Sequence, residues 1–179
     1  SEQELAATDV SQIAITVVSL ASLRLLTERG FSSDGCAGFS LGEYAAMVDA
    51  GVLAEEQALR LVAERGRIME QVSRSLDTGD ERPGMAAVIG LTPETVATAL
   101  GAELAGRAFA ANLNSPKQTV ISGTAEGLSG AEELLKGMGA RRVIPLKVSG
   151  PFHSPLMQDA RDAFAEVLAG EPFGDPVKQ

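Results

Sequence analysis

The chain has 179 residues, enough for one domain or a domain with a small insert. Apolar residues make up 45% and aromatic residues only 4%, so alanine, valine, leucine and glycine must fill the interior, as they do where helices pack closely on a parallel sheet. A net charge of −9 without a basic stripe argues against general nucleic-acid binding, and a single cysteine, Cys36, excludes an internal disulfide.

Val10, Ile13, Ala14, Val17, Val18, Ala21 and Leu25 recur at helical spacing and predict a helix over 9–29, closed by Gly30. No apolar stretch is counted as long enough to span a membrane and no signal peptide is visible, so the expectation is a cytoplasmic chain without a membrane partner. A short apolar run follows, Gly35-Cys36-Ala37-Gly38-Phe39, which reads as a strand with Cys36 as a buried core thiol. Leu41 to Val48 reads as a helix that stops at Gly51. Between the two, Gly38-Phe39-Ser40-Leu41-Gly42 spells G-x-S-x-G. Strand, tight turn and helix form the context of a nucleophile elbow, with the Ser40 hydroxyl held at the tip beside the positive end of a helix. Glycines at both ends let the backbone turn sharply and let neighbours pack close.

A second long helix is predicted from about Ala54 to Leu76. Ala58, Leu61, Val62, Ile68, Met69 and Val72 trace its apolar face, and Arg65 falls on that same face. A guanidinium on a core-facing position needs an anion. Two accounts stand side by side here: a structural ion pair with an Asp or Glu, and a bidentate site for a substrate carboxylate, with Gly66 allowing close approach. The polar stretch 77–84 then reads as a loop and a boundary.

Beyond it, Met85–Leu91, Phe109–Leu113, Gln118–Ser122 and Arg142–Val148 read as strands, with Asn114-Ser115-Pro116-Lys117 as a turn. Thr92-Pro93-Glu94 and Thr124 open two helices, the second running to about Met138 and closed by Gly139. The order β-α-β-β-α-β is that of the ferredoxin-like unit and marks residues 84–149 as an insert. Residues 1–83 and 150–179 then form the remaining α/β part. After the insert, Ser154 and Pro155 look like the N-cap and first residue of a helix that continues to about Leu168.

His153 is the only histidine, and it sits in a Gly- and Pro-rich turn before that helix. A serine hydroxyl needs a base to become nucleophilic near neutral pH, and imidazole is suited to take and return the proton. If Ser40 is the nucleophile, His153 alone among histidines can serve it. Glu43 is read as a favourable charge at a helix start, and Asn112 and Asn114 as turn formers. No CxxC, HExxH or carboxylate cluster suggests a metal, and the glycines form no P-loop.

These residues resemble the malonyl-CoA:acyl carrier protein transacylases and the wider acyltransferase domains of fatty-acid and polyketide synthases. The matching stretches are Gly38 to Tyr44, Arg65-Gly66, Gly84 to Gly90, Asn112-Leu113-Asn114-Ser115-Pro116, and Gly150 to Met157, in the family's order. The resemblance implies a hydrolase-like parallel-sheet α/β core with a ferredoxin-like insert. It implies that Ser40 is acylated by malonyl-CoA, that His153 is its base and then the acid for the leaving thiol, and that Arg65 clasps the malonate carboxylate. It further implies the Leu41 backbone N–H as one oxyanion donor and Phe152 as a ring that crowds a 2-methyl branch, favouring malonyl over methylmalonyl. Coenzyme A thioester is then a substrate, no cofactor stays bound, and acyl carrier protein is the partner. Arg67, Lys117, Arg141, Arg142 and Lys147 are the basic residues considered for meeting that acidic carrier. Two departures stand out. Phe39 replaces the histidine that most members carry before the serine. The family's Gly-Gln-Gly and Gly-Pro-Gly segments do not occur within these 179 residues, so the resemblance covers the central portion of the catalytic module, and the core is expected to be incomplete. A serine esterase or thioesterase shares the elbow and the Ser-before-His order, and an inactive carrier-docking segment is the third reading.

Overall fold

A computed structural model describes residues 7–77, 79 and 82–178. They form a mixed α/β structure that divides into two compact units. One comprises residues up to Ile68 together with Asp162 onward, and is called the serine unit below. The other, Met69–Arg161, is called the sheet unit. Part of the polar loop expected over 77–84, namely residues 78, 80 and 81, lies outside the described residues.

In the serine unit, α1 spans Thr8–Glu28, α2 spans Gly42–Asp49 and α3 begins at Glu55, running to Ser75. The apolar core joins Tyr44, Leu53, Ala58, Leu61 and Val62 with Leu41, Met47 and Val48, and with Phe164, Val167 and Leu168. Ala58, Leu61, Val62 and Ile68 are buried, so the apolar face of α3 reads as the spacing predicted. On a neighbouring face, Arg60 grips Glu171 with both guanidinium nitrogens at 2.6 Å. The chain end is also held by backbone: the Gly174 and Val177 N–H groups donate to the Val52 and Ala50 carbonyls at 2.9 and 2.8 Å.

Two expectations need correction here. The run Gly35–Phe39 is not a strand, and among the described residues no strand pairs with it. A strand is defined by its neighbours' hydrogen bonds, which an apolar run cannot supply alone. The parallel sheet expected around it is therefore not among the described elements. The second correction concerns α1. Its 21 residues have a mean hydropathy of 1.6 over the most apolar window, long and apolar enough to cross a membrane by length and composition. Its serines and threonines disguise this in the sequence. Thr16, Ser19, Ser22 and Thr27 each donate to the carbonyl four residues back, at 2.8–3.0 Å, so their polarity is satisfied within the helix. The burial is inverted as well. Thr8, Gln12, Thr16 and Leu20 are buried, whereas Ile15, Val17, Val18 and Leu25 are exposed.

The sheet unit carries β1 (Gly84–Ile89), α4 (Pro93–Glu103), β2 (Ala108–Ser115), β3 (Gln118–Gly123), α5 (Ala125–Gly137) and β4 (Arg142–Pro145). The strands form one antiparallel sheet in the order β2-β3-β1-β4. Side-chain alternation splits the strands cleanly. Ala86, Val88, Ile121 and Val143 join Val96, Ala99 and Leu100 of α4 and Ala131 and Leu135 of α5. Met85, Ala87 and Val120 gather with Ala111 and Phe152. Both expected caps form: Thr92 accepts from the Thr95 N–H at 3.3 Å and Thr124 from the Gly127 N–H at 3.0 Å.

Asn112 and Asn114, read as turn formers, instead lie in β2, which continues to Ser115 and leaves only Pro116 and Lys117 to turn. Register shifts flank them, between 110 and 112 and between 113 and 115, which is how β2 accommodates residues poor in strand propensity. The last strand is shorter than expected. Beyond Pro145 the Leu146 N–H still reaches the Met85 carbonyl at 2.9 Å, but the Val148 N–H turns back to the Leu146 carbonyl at 3.0 Å. The final helix starts with a 3-10 turn, Pro155–Met157, before α6 (Gln158–Ala169). Ser154 does not cap it by its side chain; its Oγ donates to the Pro151 carbonyl at 2.6 Å.

Candidate active site

Ser40 stands where extended chain meets helix. The Phe39, Ser40 and Leu41 carbonyls accept from the Gly42, Glu43 and Tyr44 N–H groups at 3.0, 3.2 and 3.3 Å, winding the chain into α2. Among the described residues the Leu41 N–H donates to no backbone carbonyl. Ser40 itself has φ 53°, a left-handed conformation that costs a residue with a Cβ about 1–3 kcal/mol. Gly38 makes the turn possible: a Cβ there would lie 2.2 Å from the Glu43 nitrogen. Gly42, the other motif glycine, would meet nothing within 4 Å, so close packing does not explain it among the described residues. Phe39 is 69% exposed, and Glu43 is exposed in the first turn of α2.

Arg65 projects from α3 to the same place. Its Nη2 donates to Ser40 Oγ at 3.2 Å, and its Nη1 donates to Oε1 of Gln12 on α1. Its Cζ lies 6.0 Å from the centre of the Tyr44 ring, within range of a cation–π contact. The side chain is half-buried, and among the described residues no carboxylate pairs with it. Burial pulls its pKa below the ordinary arginine value, with Tyr44 and Glu43 acting in the opposite sense. Burial raises the Tyr44 phenol, against the lowering effect of Arg65. An arginine remains charged through such shifts. Gly66 brings the helices together, since a Cβ there would stand 3.0 Å from Asp9 Cα and 3.2 Å from the Thr8 carbonyl oxygen.

Ser40, Leu41 and Arg65 thus come together within the serine unit. Gln12 joins them, and no motif announced it. The one available signal was a glutamine breaking the apolar pattern of the first helix.

His153 and Phe152 belong to the sheet unit. His153 is exposed and has φ 57°. Pro151 and Gly150 before it are buried, and Phe152 packs against the Met85, Ala87 and Val120 cluster. A Cβ on Gly150 would lie 2.1 Å from Ser73 Oγ, so the turn is pressed onto the end of α3. Ser40 and His153 are the only non-glycine residues with positive φ among those described. No group of three or more His, Cys, Asp or Glu side chains able to hold a metal occurs among them either. Of the five basic residues considered for carrier docking, Arg67 is engaged by Glu64 at 2.8 Å.

The class these features define is an α/β protein with a strained serine at a helix start and a cation donating to its hydroxyl. Residues 1–176 match the acyl transferase domain model. The chain is 43% identical over 168 residues to the malonyl CoA-acyl carrier protein transacylase of Bacillus subtilis, covering 93% of this chain and 51% of that protein. Among solved structures it is similar to the MCAT of Streptococcus pneumoniae, with a TM-score of 0.88 at 42% identity over 99% of this chain and 57% of the other. It is also similar to a malonyl-transacylase solved in complex with a type II polyketide acyl-carrier protein, with a TM-score of 0.91 at 39% identity over 99% and 57% of the two chains. The chain belongs to the acyl transferase domain family. It spans about half the length of the curated relatives it matches.

Proposed function

We propose that this chain is the central portion of an acyltransferase that moves malonyl from coenzyme A to the phosphopantetheine thiol of acyl carrier protein. The observation that carries this reading is backbone strain: the serine and the histidine selected from the sequence are the two non-glycine residues held at positive φ among those described. Such strain persists where function uses it. The order of elements and the sheet order support reading 84–149 as a ferredoxin-like subdomain. Residues 1–83 and 150–179 would be the partial hydrolase-like catalytic subdomain.

In the proposed first half-reaction, Ser40 Oγ attacks the thioester carbonyl while His153 takes its proton. The tetrahedral oxyanion is met by the Leu41 N–H, whose lack of a backbone carbonyl partner among the described residues suits the task. Losing one such donor costs roughly 100- to 1000-fold in rate. Collapse breaks the C–S bond, and the leaving thiolate receives the proton from His153, leaving malonyl-Ser40. In the second half the pantetheine thiol gives its proton to His153 and attacks the ester, and Ser40 recovers a proton. Arg65 holds the free carboxylate of malonate, and its lack of a carboxylate partner among the described residues supports that role over a structural ion pair. Phe152 would disfavour a 2-methyl branch by about 1–3 kcal/mol. The carrier as acceptor is supported by a relative solved with one bound. The cytoplasm is the compartment this reading implies, and nothing in the chemistry calls for a bound cofactor.

The test uses the complete protein that carries this chain and radiolabelled malonyl-CoA. Label is expected on Ser40 and should pass to carrier thiol rather than to water. Ser40→Ala should leave no labelled protein. Label that persists in Ser40→Ala ends the reading, and transfer mainly to water makes the protein a hydrolase.

A further inference from the structure

Two arginines one turn and a residue apart on α3 are treated in opposite ways. Arg60 meets the Glu171 carboxylate with both terminal nitrogens at 2.6 Å, so its charge is matched. Among the described residues Arg65 makes its hydrogen bonds and ring contact to neutral groups only: the Gln12 amide oxygen on one nitrogen, the Ser40 hydroxyl on the other, and the Tyr44 ring near its carbon, while the Glu43 carboxylate acts on it electrostatically without a hydrogen bond. The amide is no passing contact. Gln12 is 6% exposed, on the buried side of α1, and Gly66 allows the start of α1 to approach α3 at backbone distance.

A neutral acceptor does two things that a carboxylate cannot do together. It occupies one edge of the guanidinium and so fixes the plane of the fork, cutting the orientational freedom that would otherwise be lost on binding. It also leaves the guanidinium without a hydrogen-bonded counter-charge in a partly desolvated place, where a charge-assisted hydrogen bond is about twice as strong as a neutral one. Glutamate has nearly the same shape as glutamine. At position 12 it would give Arg65 the ion pair that Arg60 already has, and the incoming anion would then have to compete with it.

We infer that Gln12 is a positioning and selectivity residue: its amide oxygen orients Arg65 beside Ser40 without neutralising it, reserving the charge for an acyl group that ends in a free carboxylate. This rests on the acyl-transfer reading of Ser40 and deepens it. The acyl class is thereby set by the electrical neutrality of a residue that need not touch the substrate.

The experiment is steady-state acyl transfer by the complete protein with malonyl-CoA and with acetyl-CoA, in the parent, Gln12→Glu and Gln12→Met. In Gln12→Glu the malonyl-over-acetyl ratio of kcat/KM is expected to fall about tenfold or more, equivalent to about 1.4 kcal/mol, mainly through KM for malonyl-CoA. Gln12→Met keeps the length and removes the acceptor, so it should fall by a smaller factor, about two- to fivefold, because the charge remains but is less well aimed. Should Gln12→Glu fail to fold, the Gln12→Met ratio decides alone. A ratio unchanged in the folded variants, in a protein whose parent forms malonyl-Ser40, overturns the role of Gln12 and leaves the proposed function intact. A parent that forms no acyl-serine from either thioester overturns both.

Discussion

In the sheet unit, Val88, Val96, Ile121, Ala131 and Leu135 are fully enclosed and every strand has a paired neighbour. In the serine unit, Val18 and Phe31 are 66% and 67% exposed, while Thr8, Gln12 and Thr16 are buried. The first region follows the ordinary rule that apolar area leaves water and polar backbone is paired. The second keeps a cation, an amide and a strained serine out of full contact with water, at a cost in stability that apolar residues in their places would not incur. On the proposed reading, the contrast separates where the fold is held from where chemistry is prepared. Substitutions in the first region should act on stability, and those in the second on acyl selectivity out of proportion to stability.

The largest stability effect is expected from Leu135→Ala. The side chain is fully buried between α5 and the sheet, so its removal leaves a cavity worth about 2–5 kcal/mol. Thermal unfolding of the complete protein should shift down clearly, with an unchanged malonyl-over-acetyl ratio in the folded fraction. A loss well under 1 kcal/mol would mean that the sheet's core collapses to fill the space, and the contrast between the units would fade.

Gly66→Ala tests the other side. Alanine inside a helix gains about 0.5–1 kcal/mol over glycine. Here the new methyl would meet Asp9 Cα at 3.0 Å and the Thr8 carbonyl oxygen at 3.2 Å, and backbone atoms cannot swing away as a side chain can. Overpacking of this kind costs about 1–3 kcal/mol, so the net change should be a destabilisation of about 1 kcal/mol. The sharper readout is selectivity, because α1 must shift and carry Gln12 away from Arg65. A stabilised variant with full malonyl preference would show that the approach of α1 to α3 is looser than these distances imply.

Much of the sheet unit was legible in the sequence, because its signals are local. Thr92-Pro93-Glu94 and Thr124 announce helix starts through residues a turn apart, and the strands alternate with period two. Asn112 misled because turn propensity gave way to ladder pairing with Val120 across bulges. Ser40 was legible as the tip of a turn, and Arg65 as a misplaced cation on an apolar face. The partner of Arg65 was not legible: Gln12 lies 53 residues away and carries no motif. The facing of α1 was hidden for a related reason. Periodicity gives a stripe, but which stripe is buried depends on what packs there, and here α3 brings Arg65 to the polar one. The absent strand at 35–39 is the same lesson for sheets, since pairing is a property of two segments.

The smallest effect concerns the end of α2 and depends on pH. Asp49 accepts from Ser33 Oγ at 2.7 Å and from Lys178 Nζ at 3.0 Å, tying residues 33 and 178 to the end of α2 within the serine unit. First the Ser33 hydrogen bond and then Lys178 hold its carboxyl below the ordinary value of 3.8. The folded state therefore releases this proton more readily than the unfolded chain. The resulting stabilisation is complete above the unfolded value and fades as pH falls through the lower folded one. The pair is only partly buried, so solvent and salt still screen it and the gain is small. Asp49→Asn should leave unfolding near neutral pH almost unchanged and flatten only the acid end of the stability curve, with the difference shrinking in added salt. A variant that lowers neutral-pH stability as much as Gly66→Ala would make this ion pair a structural support of the serine unit, on a par with the close contact between α1 and α3.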